Sequence, residues 1–185
     1  MTMGFFVVPV LGLVLACGLG GQIDEANKLA SEANDLVTVH NADVDKSEPL
    51  QKDFSEISGL SNADELKKFK SKNKAKLDEL VALTTKMEKT ASDAADKYEQ
   101  ASKMKIDDMA KEYFSLQGQA LRKSADIDKE LLVLLNSTIE SKTPKEISKL
   151  FDDFTKKRDE YTTASEDLRK KADEISKDHP ENFKK

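Results

Sequence analysis

Apolar residues recur every three or four positions through most of this chain, which is the spacing of one face of an α-helix. The first stripe consists of Ile23, Ala26, Ala30, Ala33, Val37, His40 and Val44. Because it is rich in Ala, we expect a partner helix to approach it closely. Ser47-Glu48-Pro49 then predicts the restart of a short helical segment, which carries Leu50, Phe54 and Ile57 and stops at Gly59.

A second helix is predicted to begin at Asn62, because this capping residue is followed three positions later by Glu65. Its stripe is Leu77, Leu80, Thr84, Met87, Ala91, Ala94, Tyr98 and Ala101, and a third stripe consists of Met109, Tyr113, Leu116, Ala120, Ile127, Leu131 and Leu134. One continuous rod over 62–140 would be about 118 Å long at 1.5 Å per residue. We therefore predict a break at 103–107, where the stripe loses phase, with Gly118 as the competing position.

The clearest helix start is Thr143-Pro144-Lys145-Glu146, with a capping Thr, Pro at the first helical position and Glu at the third. The stripe that follows is Ile147, Phe151, Phe154, Arg158, Tyr161, Ser165, Leu168, Ala172 and Ile175, and it ends near Asp178-His179-Pro180. The third and fourth helices are about equally long and a short turn joins them, so we expect an antiparallel hairpin.

Some stripe positions are polar, namely Asn73, Thr84, Arg158 and Ser165. A two-stranded coiled coil tolerates few such positions, whereas a bundle with a shallow or partly wet core tolerates more. The predicted fold is therefore all-α, an elongated up-and-down antiparallel bundle of three to four long helices with coiled-coil-like packing. It covers residues 22–179 and leaves 180–185 as a C-terminal tail that frays.

Charged residues make up 35% of the chain, with a net charge of −5 and interspersed signs. Nucleic-acid binding would call for a basic stripe along one face, so this class is not expected. The chain contains no Trp and only 7 Gly, as is typical of long helices rather than sheets.

The first sixteen residues carry no charge, and the apolar run from Phe5 to Ala16 is too short for a transmembrane helix of about 20 residues. It ends in Val14-Leu15-Ala16-Cys17, and Cys17 is the only cysteine. This tetrapeptide resembles the lipobox of bacterial lipoprotein signal peptides, in which the cysteine is diacylated and becomes the new N-terminus. The resemblance implies a signal peptide over 1–16 and a lipid-anchored spacer over 17–21. It also implies location in the cell envelope, in the outer membrane of an organism with two membranes, since Gly18 follows the cysteine.

Two other interpretations of the N-terminus stay open. The first is an ordinary cleaved signal peptide in which Cys17 is incidental. The second is that the true start lies farther upstream or that the signal is unusual, because the first five residues contain no Lys or Arg. Acylation accounts best for a lone cysteine in an exported chain, since that residue cannot form an internal disulfide.

Catalytic and metal-binding patterns are not expected. His40 lies on the first stripe and is predicted to be a satisfied core imidazole, while His179 lies at a helix C-terminus, where the dipole favours a cationic ring. No Glu precedes a His by three positions, as di-iron bundles require. We therefore predict no enzyme, no cofactor and no metal site.

Six lysines lie within ten residues at the start of the second helix: Lys67, Lys68, Lys70, Lys72, Lys74 and Lys76. At about 100° per residue they do not share one face. A solvated helix end is one interpretation. Contact with anionic envelope material, such as phospholipid or a polyanionic cell-wall polymer, is the other.

The chain ends in Phe183-Lys184-Lys185. A helical lipoprotein with a terminal lysine resembles the major peptidoglycan-linked lipoprotein, although the resemblance covers only the anchored cysteine, the helical middle and the last residue. It implies attachment to the cell wall through Lys185.

Together these features predict a non-enzymatic, lipid-anchored envelope protein that acts as a spacer, a scaffold or an interaction surface. Its expected partners are the membrane and another envelope protein or cell-wall polymer. One alternative is a carrier that holds a small apolar ligand or lipid between Ala-rich helices. Another is a peptidoglycan tether through Lys185.

Overall fold

The computed structural model describes residues 22–179 and, as backbone only, two strands of two residues each. Its helices are α1 (Gln22–Ser55), α2 (Ala63–Ser102), α3 (Asp108–Glu140) and α4 (Pro144–Asp178), and a 3₁₀ turn over Glu56–Gly59 follows α1. Strand β1 (Val14–Leu15) pairs antiparallel with β2 (Phe183–Lys184). The predicted all-α helical bundle is confirmed, with four long helices in the described part of the chain.

Each helix packs antiparallel on the next one along the chain. Lys97 of α2 pairs with Glu32 near the start of α1, whereas Lys76, earlier in α2, pairs with Asp53 near the end of α1. The beginning of α1 and the end of α4 therefore lie at one end of the bundle, which we call the Gln22 end. The opposite end, formed by the connections after α1 and α3, we call the far end.

The helix starts follow the capping signals in the sequence. The Asn62 side chain accepts a hydrogen bond from the Glu65 amide at 2.9 Å, and Thr143 forms a capping box with Glu146. Asp107 caps α3 by accepting from the Ala110 amide at 2.8 Å. The predicted break at 103–107 is confirmed, and these caps satisfy backbone amides that have no partner within their own helices.

Gly118, the competing break position, lies inside α3. A Cβ atom there would meet the Glu99 Cγ at 3.1 Å and the Ala95 carbonyl oxygen at 3.3 Å. Glycine at this position therefore allows α2 and α3 to approach closely instead of ending a helix.

The predicted restart at Ser47-Glu48-Pro49 is wrong, because α1 runs without interruption through Pro49 to Ser55. Pro49 removes the amide that would bond the Asp45 carbonyl, and both residues are exposed, so water can hydrate the carbonyl. The proline is tolerated because it faces solvent. Phe54 and Ile57 are nevertheless buried in the core, and Gly59 ends the 3₁₀ turn.

The stripes predicted for α1 and α2 are buried throughout. On α3, three predicted core residues are only partly buried: Met109, Leu116 and Ile127. The cause is that α3 packs against both α2 and α4, so its buried positions spread over two stripes. On α4 the buried side chains are Ile147, Phe154, Ser165, Arg169 and Ala172, and the rest of its seam is only partly buried.

The apolar core is divided into two clusters along the bundle axis. The Gln22-end cluster combines small Ala residues of α1 and α2 with Tyr98, Tyr113 and Phe114. The far-end cluster contains larger aliphatic residues around Phe54, which stacks on Phe151 of α4 with ring centroids 5.4 Å apart. Within residues 22–179, no helix combines the length and apolarity needed to cross a bilayer.

Candidate functional site

A buried polar layer separates the two apolar clusters. Its side chains come from all four helices: His40, Asp43 and Ser47 of α1, Thr84 of α2, Ser124 and Asp128 of α3, and Ser165 and Arg169 of α4. Burying a polar group costs free energy unless it is hydrogen-bonded. The partners of each side chain therefore determine whether the layer serves to join the helices or could act as a reaction site.

The central contact of the layer joins His40 to Asp128. The His40 Nε2 lies 2.9 Å from the Asp128 Oδ2, and the two residues are only 4% and 3% exposed. Burial raises the pKa of Asp128, and the hydrogen bond from His40 acts in the opposite direction. The prediction that His40 is a satisfied core imidazole is confirmed for Nε2, while Nδ1 has no hydrogen-bond partner among the described residues.

The second contact of the layer is the pairing of Asp43, which is 1% exposed, with two lysines. Its carboxylate lies 2.9 Å from the Lys46 Nζ of its own helix and 2.6 Å from the Lys86 Nζ of α2. Burial alone would raise the pKa of Asp43, but the hydrogen bonds from Lys86 and Lys46 hold it below its usual value. Next to it, Ser47 Oγ accepts a hydrogen bond from Gln51 Nε2 at 2.8 Å.

Asp43 and Asp128 are the two acidic residues of the layer, and the sequence pattern identified neither of them. Asp128 follows Ser124 by four residues and precedes Leu131 by three, so its phase places it on the buried face of α3. Asp128 and His40 each fall on the buried stripe of their helix. An acidic residue and a histidine placed in this way are the sequence signal from which the pair could have been predicted.

The layer joins helices and does not form an open reaction site. A His–Asp pair can orient a general base, but here both side chains are sealed from solvent and no hydroxyl among the described residues bonds the His40 Nδ1. Over the same part of the chain, the His, Cys, Asp and Glu side chains form no group of three or more that could hold a metal ion. The layer's contacts between helices hold α1, α2 and α3 in a fixed register.

The six lysines at the start of α2 lie at the far end and form two rows. Lys67, Lys70 and Lys74 face α3, because the Lys70 Nζ donates to the Ile139 carbonyl oxygen at 3.0 Å and also to that of Ser141. Lys76 lies on the α1 side, because its Nζ is 2.5 Å from the Asp53 Oδ2, and Lys68 and Lys72 lie on the same flank of α2 and are exposed. The rows follow from spacings of three and four residues on a helix.

Half of these lysines have structural partners. Lys70 closes the C-terminus of α3, where the last carbonyls have no partner within the helix. The hydrogen bond to Asp53 raises the pKa of Lys76, and Lys74 pairs with Asp78. Lys67, Lys68 and Lys72 are exposed and make no ion pair within residues 22–179, so they are the lysines available to an external anion.

A groove of about 240 Å³ lies beside the row that faces α3. It is lined by Lys70, Ser71, Lys74, Leu77, Asp78 and Ile139. Ile139 is 42% exposed, and with Val39 and Val133 it is one of three large apolar side chains that residues 22–179 leave exposed. The groove therefore combines an uncovered aliphatic side chain with a cationic rim.

A second depression, of about 500 Å³, lies at the Gln22 end between α3 and α4. It is lined by Asp108, Met109, Glu112, Lys171, Glu174, Ile175, Asp178 and His179. His179 lies at the C-terminus of α4, as predicted, where it follows the last helical residue and its amide donates to the Ile175 carbonyl at 3.2 Å. The charged side chains around this depression have mixed signs and define no single ligand class.

The Ala-rich faces that a carrier would need are packed against other helices. Ala26, Ala33 and Ala94 have no exposed surface. A ligand could enter between these helices only if they separated.

The predicted lipidation site Cys17 and the predicted wall-attachment residue Lys185 lie outside the described residues. No protein-family model matches the chain, and neither a curated protein nor a solved structure is significantly similar to it.

Proposed function

We propose that this chain is a non-enzymatic, lipid-anchored envelope protein whose helical bundle acts as a spacer and a protein-interaction surface. The observation that carries the proposal is the placement of the two bundle ends. Gln22, five residues after the lipobox Cys17, begins α1 at one end, whereas the lysine rows and the groove lie at the other.

The dimensions of the bundle suit a spacer. The 40 residues of α2 span about 60 Å at 1.5 Å per residue. Acyl chains on Cys17 would hold the Gln22 end at the bilayer, with about 0.8 kcal/mol for each buried CH₂ group. The far end would then project from the membrane by roughly the length of α2.

Cleavage after Ala16 would leave the bundle intact. It would remove β1 and leave Phe183–Lys184 without its strand partner. Both apolar clusters lie within residues 22–179, so their packing does not depend on the leader.

The peptidoglycan tether is a weaker proposal than the spacer. Because α4 ends at Asp178, Lys185 follows the Gln22 end by seven residues, which reach at most about 25 Å. Wall attachment through Lys185 would place the wall and the lipid at the same end of the bundle, so its length would not bridge them.

Metabolic labelling with a fatty acid analogue in a bacterial host tests the proposal. We expect the full-length wild type to be labelled and to fractionate with membranes, and Cys17→Ser to lose both properties. Leu19→Ser is the matched control, because it changes a neighbouring residue and keeps the cysteine. Equal labelling of wild type and Cys17→Ser, or no labelling of the wild type, would overturn the anchor.

A further inference from the structure

We infer that the groove between α2 and α3 at the far end is a docking site for an acidic segment of a partner protein that carries an aliphatic side chain. The inference rests on the proposed function only in taking the bundle to be an interaction surface. It does not require the lipid anchor.

The apolar part of the site is small and well defined. Leu77 is buried at the groove, and Ile139 beside it is 42% exposed. The aliphatic stems of Lys70 and Lys74 add to this surface while their charged ends stay in water. The groove volume of about 240 Å³ lies below the range of about 300–1,000 Å³ typical of small-molecule pockets. It fits an inserted aliphatic side chain better than an independent ligand.

The rim of the groove is positively charged. Lys70 and Lys74 line the groove together with one carboxylate, Asp78, and Lys67 lies one turn earlier on α2, so the side of α2 that borders the groove has a net formal charge of +2. Such a cluster attracts a partner of opposite charge and raises its association rate. The charge complement of this rim is a segment rich in carboxylates.

The three lysines beside the groove have different roles. Lys70 donates to the backbone carbonyls of Ile139 and Ser141, so it fixes one wall of the groove. Lys74 pairs with Asp78, but both side chains are largely exposed, and such surface pairs exchange partners at little cost. Lys67 is exposed one turn before Lys70. Lys67 and Lys74 are therefore the residues that meet the partner's carboxylates.

The apolar groove is what favours a protein segment over a phosphate polymer or a lipid surface. A polyanion would contact both lysine rows and leave Leu77 and Ile139 without a role. The row formed by Lys68, Lys72 and Lys76 lies on the other flank of α2 and does not line the groove. A partner that uses the groove needs both an apolar anchor and negative charge, which is a common mode of helix-in-groove recognition.

The test uses the full-length protein in detergent and a fluorescent helix-forming peptide in which leucines four residues apart are flanked by glutamates. We expect salt-sensitive binding that falls about tenfold or more in Lys67→Glu/Lys74→Glu and in Ile139→Ser, the scale of a lost interface anchor. The matched control is Lys68→Glu/Lys72→Glu, which makes the same charge change on the other flank of α2. This control is expected to weaken binding by less than about threefold, as for charges outside the contact.

Three outcomes would overturn the docking site: no binding of the peptide to the wild type, equal loss in both double variants, or unchanged binding of the Ile139→Ser variant. Polyphosphate and phosphatidylglycerol vesicles serve as competing probes, and tighter binding of either one, equally dependent on both lysine rows, would assign the surface to a polyanion instead. Helical circular dichroism of each variant excludes unfolding as the cause. Failure of this test would leave the Cys17 labelling result unchanged, so the two proposals fail separately.

Discussion

The His40 imidazole contacts the Asp128 carboxylate at 2.9 Å and so links α1 to α3, two helices that each pack antiparallel on α2. The contact lies between the two apolar clusters. An ionisable pair is costly to bury, so the intact pair adds little to the stability of the bundle. Leaving one partner buried without the other is expected to cost much more.

Removing one partner should therefore destabilise the bundle more than removing both. Asp128→Leu leaves His40 buried without its acceptor, and we expect it to lower the free energy of unfolding by about 3–5 kcal/mol. His40→Leu/Asp128→Leu should recover a large part of that loss, since no polar group is then left unpaired. Urea unfolding of the two variants and the wild type provides the comparison. A double variant as unstable as the single one would contradict this account.

Asp43 should make the stability of the bundle sensitive to acid. Its pKa is lower in the folded chain than in the unfolded chain, since Lys86 and Lys46 bond the charged form. Its contribution is therefore complete above an unfolded pKa of about 4 and is lost as the pH falls through the folded value. The pH dependence from Asp128 has the opposite sign: burial raises its pKa in the folded chain, so its ionisation at higher pH lowers the stability.

The Asp43→Asn variant isolates the Asp43 contribution. At pH 7 it should be less stable than the wild type, and the difference between the two should shrink as the pH falls from 5 to 2. Urea midpoints measured across this range provide the test. A difference that stays constant with pH would show that the carboxylate charge has no role in stability.

Gly118 should be the position at which added volume separates α2 from α3. Gly118→Leu would force atoms into the space next to Glu99 and the Ala95 carbonyl, and overpacking of this kind typically costs about 1–3 kcal/mol. Gly59→Leu is the control, because a Cβ there meets no atom within 4 Å. Thermal unfolding that ranks both variants alike would contradict the proposed close approach.

Lys70 should contribute to stability through the C-terminus of α3. Lys70→Met keeps the aliphatic stem and removes the donor to the Ile139 and Ser141 carbonyls, so we expect a loss of about 1–2 kcal/mol. Lys68→Met, two residues away and exposed, should change stability by less than about 0.5 kcal/mol. Equal effects of the two substitutions in urea unfolding would show that the contact with α3 contributes nothing.

The helix bounds were predictable where a local signal dictates them. Asn62 and Thr143 cap their helices with side chains that the sequence displays, and the loss of phase at 103–107 marks a real break. The prediction at Pro49 is wrong because the effect of a proline depends on whether its side of the helix faces water, which a local motif does not reveal.

The polar layer and the groove depend on contacts between helices. His40 could be placed in the core from its phase, but its pairing with Asp128, 88 residues away, requires the register of α1 against α3. The lysines could be identified as a cluster, whereas their division into two rows follows from the neighbours of α2 on each side. Ile139 becomes part of a groove only because α3 ends beside Lys70.

The proposed anchor is tested most directly by the intact mass of the native protein purified from bacterial membranes. The account predicts a chain that begins at Cys17 and carries diacylglycerol on its sulfur. A protein that retains residues 1–16 and an unmodified thiol would contradict it.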